Sequence, residues 1–156
     1  MEKRKLVINY TEYSSKEDLP AEDAALLSKA EEMTRCSYAP YSEFHVGAAL
    51  RMADGEVFSG ANQENAAFPS GLCAERTTLY YAAAQRPDEP MDAIAITAEY
   101  KGGVPQGTVT PCGACRQAMA QYESKFRRPI KVILGGSCIL VFESVADLLP
   151  FVFDSI

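Results

Sequence analysis

Two short motifs set the strictest condition on the fold: Cys73-Ala74-Glu75 and Pro111-Cys112-Gly113-Ala114-Cys115 are far apart in the chain yet must converge in space if their chemistry is to work. Three cysteines match the protein ligand count of a catalytic zinc site, in which the fourth tetrahedral position is left to water or substrate. Cys73, Cys112 and Cys115 fill that count. Glu75 adds what a structural zinc does not need, a carboxylate able to carry the proton of a water beside the metal. The alternatives are no metal at all, or a closed structural site in which Cys36, Cys138 or His45 supplies the fourth ligand. A closed site leaves Glu75 without a role.

Both motifs stand where a loop enters an expected helix. Apolar residues at helical spacing predict helices over residues 21–36, 73–85 and 113–126, the first opened by Pro20. Strands are expected at 46–52 and 57–61, joined through Ala53-Asp54-Gly55-Glu56, because Asp-Gly between two such runs favours a tight hairpin. Further strands are expected at 91–97, 130–134 and 138–142, with a short one at 6–10 and a last helical piece at 145–149. The Gly- and Pro-bearing stretch 101–110 reads as a loop that delivers Pro111 and Cys112. This order predicts an α/β sandwich of five main strands with helices on both faces. Two helix N-termini aimed at one point would offset the negative charge of three thiolates, and Arg76 adds a full positive charge. Drawing charge from the sulfurs sharpens the metal as a Lewis acid.

At 156 residues the chain fits one core that needs no covalent staples. Five cysteines, three of them required as free thiolates, argue against a disulfide framework; Cys36 and Cys138 read as small buried apolar residues. The net charge of −6 disfavours capture of nucleic acid. No apolar run is long enough to span a bilayer, and the basic start Met1-Glu2-Lys3-Arg4-Lys5 lacks the apolar core of a secretory signal, so a cytoplasmic protein is expected.

The zinc signature with three cysteines resembles that of the zinc deaminases. The runs Tyr41-Ser42-Glu43-Phe44-His45-Val46-Gly47-Ala48-Ala49-Leu50, Asn62-Gln63-Glu64-Asn65-Ala66, Cys73-Ala74-Glu75-Arg76-Thr77, Pro111-Cys112-Gly113-Ala114-Cys115-Arg116-Gln117 and Leu148-Leu149-Pro150 with Phe153 resemble, more narrowly, the small homo-tetrameric cytidine deaminases. The resemblance covers roughly residues 24–153. It implies a three-layer α/β/α sandwich with a five-stranded mixed sheet, one Zn²⁺ per subunit, and residues 21–156 as the catalytic domain behind an N-terminal extension, 1–20. It also implies hydrolytic deamination of cytidine and 2′-deoxycytidine to uridine and 2′-deoxyuridine with release of ammonia, in pyrimidine salvage. Hydroxide generated at the zinc would attack C4 of the base while Glu75 takes the water's proton, delivers it to N3 and later helps protonate the leaving amine.

The same resemblance assigns substrate contacts. The Ala74 N–H would bind O2 of the base and the Thr110 carbonyl its amino group; Asn62 and Glu64 would hold the ribose 3′-hydroxyl, with Phe44 packed on base or sugar. Phe68 stands where relatives often carry Tyr, so a hydroxyl that could reach the sugar's 5′ end is missing. Phe153 is expected to enter a neighbouring subunit's active site. His45, where relatives often have Pro, is expected to have a local packing or surface role. The N-terminal segment is longer than in compact relatives and is expected to pack on the core or across a subunit boundary. Rival readings are a deaminase of another aminated nucleoside or of a base in nucleic acid, and a zinc-binding structural module in which Glu75 is a helix-surface acid.

Overall fold

Side-chain size alternates along the two longest strands, and that alternation decides how closely each helical layer approaches the sheet. A computed structural model describes residues 1–154; the C-terminal limit of the expected 21–156 unit lies outside the described residues. Its strands are β1 (Thr11–Tyr13), β2 (Phe44–Met52), β3 (Val57–Ala61), β4 (Met91–Tyr100), β5 (Lys131–Leu134) and β6 (Ile139–Phe142), and its helices α1 (Ala21–Met33), α2 (Ala74–Gln85) and α3 (Gly113–Phe126). On β2 and β4 the larger residues Leu50, Met52, Ile94 and Ile96 face α2 and α3. Ala49, Ala93 and Ala95 face α1. The alanine face lets α1 come so near that a Cβ on Gly47 would lie 2.0 Å from the Ala30 carbonyl oxygen. Backbone cannot step aside as a side-chain tip can. Gly47→Ala is therefore expected to cost at least the ~1–3 kcal/mol typical of overpacking, read as a lower urea midpoint at unchanged m.

The strand order is β1-β6-β5-β4-β2-β3. β4 and β5 run parallel with α3 as their crossover, whereas β2–β3, β2–β4, β5–β6 and β1–β6 are antiparallel. With α1 on one face and α2 and α3 on the other, the three-layer α/β/α sandwich is as expected, and the five main strands are β2 to β6. The sixth, β1, corrects the expected position of the first strand. Residues 6–10 are not a strand; pairing occurs at Thr11↔Val141, Glu12↔Leu140 and Tyr13↔Ile139. The reason is the length of the partner: β6 ends at Phe142, on which the Tyr10 ring rests at 5.5 Å, and residues 6–9 overrun it. The expected helix at 145–149 is a single 3-10 turn, Val145–Asp147, whose Ala146 N–H is capped by the Ser144 hydroxyl. Pro150 follows closely and cannot continue a helix.

At the end of the sheet away from the cysteines, Asp23 of α1 is 1% exposed and accepts from Arg51 of β2 at 3.1 Å and Lys131 of β5 at 2.9 Å. Arg51 also donates to Asp92 of β4 at 2.9 Å, and Arg128 to the same carboxylate at 2.8 Å. One helix and three strands are thereby tied by charge. Among the described residues no helix is long and apolar enough to cross a membrane.

Candidate active site

Cys73 and Cys112 occupy equivalent positions. Each is the extended residue immediately before a helix, Cys73 capping α2 and Cys112 capping α3. Cys115 follows in the first turn of α3 and is fully buried. The sulfur atoms of Cys73 and Cys112 are 4.0 Å apart and those of Cys112 and Cys115 3.4 Å, with all three within 4.8 Å. A tetrahedral zinc with Zn–S bonds of about 2.3 Å places its sulfurs about 3.8 Å apart. The cluster fits that spacing.

Its surroundings fit a cation as well. The Arg76 guanidinium donates to Cys73 Sγ at 3.8 Å, while Arg76 Nε is buried with no partner among the described residues. A thiolate accepts hydrogen bonds much better than a thiol, so that orphaned donor suits sulfurs held in the ionised state. Hydrogen bonding from Cys115, then from Arg76, draws the Cys73 thiol down to about 5 against the cost of burial, while the same Cys73 and burial push Cys115 up. One negative charge is welcome here and a second is resisted. A divalent cation is what allows three.

Glu75 sits in the first turn of α2, only 5% exposed, and burial, followed by the charge of Cys73, raises its carboxyl above the usual range. The first helical bond of α2 runs from the Thr77 N–H to the Cys73 carbonyl, so the Ala74 N–H lies outside the helix ladder, as the expected contact to a base requires.

Beside Cys73 opens a cavity of about 310 Å³ lined by Tyr41, Asn62, Glu64, Phe68 and Leu72, among others. The sequence-predicted sugar residues are thus brought to the thiol cluster. Glu64 is fixed by the backbone N–H groups of Tyr41 at 2.8 Å and Ser42 at 3.4 Å. Asn62 is held more completely: its Oδ1 accepts from Ser37 Oγ at 2.5 Å and Val46 N–H at 2.8 Å, and its Nδ2 donates to the Phe44 carbonyl at 2.9 Å. What it has left to offer a ligand is the second amide hydrogen. The Phe68 ring is 75% exposed and meets Tyr41 edge-on at 5.8 Å. Phe44, Thr110 and Phe153 do not line this cavity. Phe44 packs near Tyr100 at 6.0 Å, Thr110 lies exposed before Pro111, and the Phe153 ring is 66% exposed.

A larger cavity, about 440 Å³, lies on the α1 face between residues 14–16, the end of β4 and Gly102 to Val104. It contains none of the cysteines and not Glu75. Chemistry rather than size locates the site.

Several positioning residues escaped the sequence reading. Arg116 donates from Nε to the Pro111 carbonyl and from Nη1 to the Leu148 carbonyl, both at 2.9 Å. Gln117 holds Phe153 at both backbone groups, donating to its carbonyl at 2.7 Å and accepting from its N–H at 3.3 Å. The loop bearing Cys112 and the C-terminal segment are therefore strapped to the same helix turn. A signal existed: if Cys115 faces the metal, helical geometry swings the next two residues toward flanking elements. Ser37, which orients Asn62, had none.

Residues 20–128 match the family described as the cytidine and deoxycytidylate deaminase zinc-binding region. The cytidine deaminase of Halalkalibacterium halodurans is 43% identical over 131 residues, 83% of this chain and 92% of that protein. Among solved structures, cytidine deaminase from Burkholderia pseudomallei is similar with a TM-score of 0.71 and 41% identity, covering 83% of this chain and 97% of that one. Cytidine deaminase from Mycobacterium tuberculosis has a TM-score of 0.68 at 28% identity, covering 87% of this chain and 100% of that one. A match across the zinc ligands, and relatives aligned along nearly their whole length, make this chain a member of the cytidine deaminase family of zinc hydrolases.

Proposed function

We propose that the protein hydrolyses free cytidine and 2′-deoxycytidine to uridine and 2′-deoxyuridine with release of ammonia, as a cytoplasmic homotetramer whose catalytic domain spans 21–156. The observation that carries this reading is a three-thiol cluster with the buried carboxylate Glu75 two residues from Cys73, and Cys73 itself in the wall of a cavity that also bears Asn62 and Glu64. Zinc held by Cys73, Cys112 and Cys115 supplies, when bound, the Lewis acidity that makes water nucleophilic at neutral pH. Glu75 would take one proton from the attacking water and pass it to N3 of the base. It would then take the remaining proton from the new C4 hydroxyl and deliver it to the amine, so that the C4–N bond breaks, ammonia leaves and the oxygen stays on C4 as a carbonyl. A raised carboxyl pKa suits a group that must be base and acid in one turnover. Arg76 and the two helix N-termini offset thiolate charge. Ala74 N–H meets O2, the Thr110 carbonyl meets the amino group, and the sugar is read by Asn62 and Glu64, with Phe68 as an apolar wall and Phe44 behind Asn62, whose amide its carbonyl holds.

A nucleotide is the less suitable substrate. Among the described residues the cavity is lined by a carboxylate and by no lysine or arginine, so a phosphate would enter without a counter-charge. Support for assembly comes from exposed aromatics on α2 and the C-terminal segment, Tyr80, Tyr81, Phe151 and Phe153, the last held in place by Gln117. In this reading Phe153 closes a neighbour's site.

Cytidine, deoxycytidine, adenosine and CMP, followed by ultraviolet absorbance and ammonia release, test the proposal. Turnover of the first two with one zinc per chain is expected, and neither of the others should react. Tight zinc with no ammonia from any nucleoside would make the protein a structural module, and preferred turnover of CMP would overturn the substrate assignment.

A further inference from the structure

Residues 6–10 carry Leu6, Val7, Ile8 and Tyr10, which are 56%, 63%, 44% and 56% exposed. Four large apolar groups in five residues are costly to leave in water at an edge of a sheet. Tyr10 lies on Phe142, a member of the core beneath α2 and α3, so a segment extended as a continuation of β1 would set Ile8 and Leu6 in the same row and Val7 on the other face. The row runs past the end of β6, and among the described residues no strand of the same chain reaches it. β1 is also the outermost strand, so its other edge is unpaired.

We propose that residues 6–13 form a self-complementary edge, pairing antiparallel about a two-fold axis with residues 6–13 of a second copy of this chain. Each copy then supplies the strand that the other's overhang lacks, and the two sheets join through their β1 edges. Charge sets the same occupant. Lys3, Arg4 and Lys5 stand just before the apolar run, and exposed Glu17 and Asp18 just after β1. Antiparallel pairing brings Lys3, Arg4 and Lys5 of one copy alongside residues 14–16 of the other and next to Glu17 and Asp18. Lys16 in that turn is already paired with Glu31 at 2.5 Å, which leaves the turn acidic. The inference deepens the assembly reading and rests on it, but it concerns a different surface from the one that presents Phe153.

The test compares the unaltered chain with a form lacking residues 1–10 and with full-length Leu6→Asp/Ile8→Asp, by light scattering over a dilution series. Both altered forms are expected to dissociate at protein concentrations at least about tenfold higher than the unaltered chain does. Backbone amides of residues 6–10 should exchange slowly in the concentrated unaltered protein and rapidly after dilution. An unaltered chain that assembles, with the same dissociation profile in all three forms and fast exchange at 6–10, would overturn the edge pairing and leave the assembly reading standing. A chain that is monomeric throughout would end both. Binding of the segment to phosphatidylserine vesicles with no change in mass would also overturn it.

Discussion

Glu75→Gln is expected to keep one zinc per chain and nearly unchanged affinity for nucleoside while turnover falls by at least about 10²- to 10⁴-fold. That corresponds to roughly 3–5 kcal/mol of lost transition-state stabilisation. Gln matches Glu in shape and can still hydrogen-bond, but it cannot accept and return a proton in the course of one reaction. Every proton transfer assigned to this side chain fails together, so the loss should appear in kcat far more than in KM. Zinc content by metal analysis, nucleoside binding by calorimetry and ammonia release make the separation. Near-normal turnover in this variant would remove Glu75 from the mechanism and leave the thiol cluster as a structural feature.

Asp23→Ala should be the most damaging single change outside the site, costing about 3–5 kcal/mol of folding stability. Arg51, 11% exposed at its side chain, would lose a partner while still buried, and its Nη1 already has none among the described residues. Lys131 would be stranded with it. Urea denaturation measures the loss; zinc content and turnover of the folded fraction should not change, because the network lies at the opposite end of β4 from the cysteines. Arg51→Met added to Asp23→Ala should recover part of the stability, since an apolar pair of similar volume needs no counter-charge. Acid should act in the same direction. Burial opposes ionisation of Asp92, yet hydrogen bonds from Arg51 and Arg128 hold its carboxyl below the usual range. A depressed folded pKa gives stability that is present above the unfolded carboxylate value and is lost as pH falls through the folded one.

The helices and the site chemistry were legible in sequence for the same reason: both rest on short local patterns. Ala21–Met33, Ala74–Gln85 and Gly113–Phe126 follow apolar spacing, and the cysteines mark the entries to the last two. The position of β1 was not legible because a strand is defined by its partner, and no local pattern in residues 6–13 announces that β6 stops at Phe142. The cavity was half legible. Asn62 and Glu64 stand in a distinctive run, but the hydrogen bonds that occupy the Asn62 oxygen come from Ser37 and Val46, brought in from other segments. Nor did Asp23 distinguish itself from the other acids of a helix first turn. Its burial depends on Arg51 and Lys131, which only the folded sheet sets beside it.

The pairing of β1 with β6 also imposes an order on how the protein is made. Thr11–Tyr13 emerge from the ribosome long before the residues they pair with, Ile139–Val141. The parallel β4–β5 pair cannot close until β5 has been made, nor the edge of the sheet until β6 has followed it. Contacts so distant in sequence make for slow folding, and throughout synthesis the apolar run at residues 6–10 has no strand to lie beside. Crowded nascent chains would meet through that segment, which places the main hazard to soluble expression at residues 6–10.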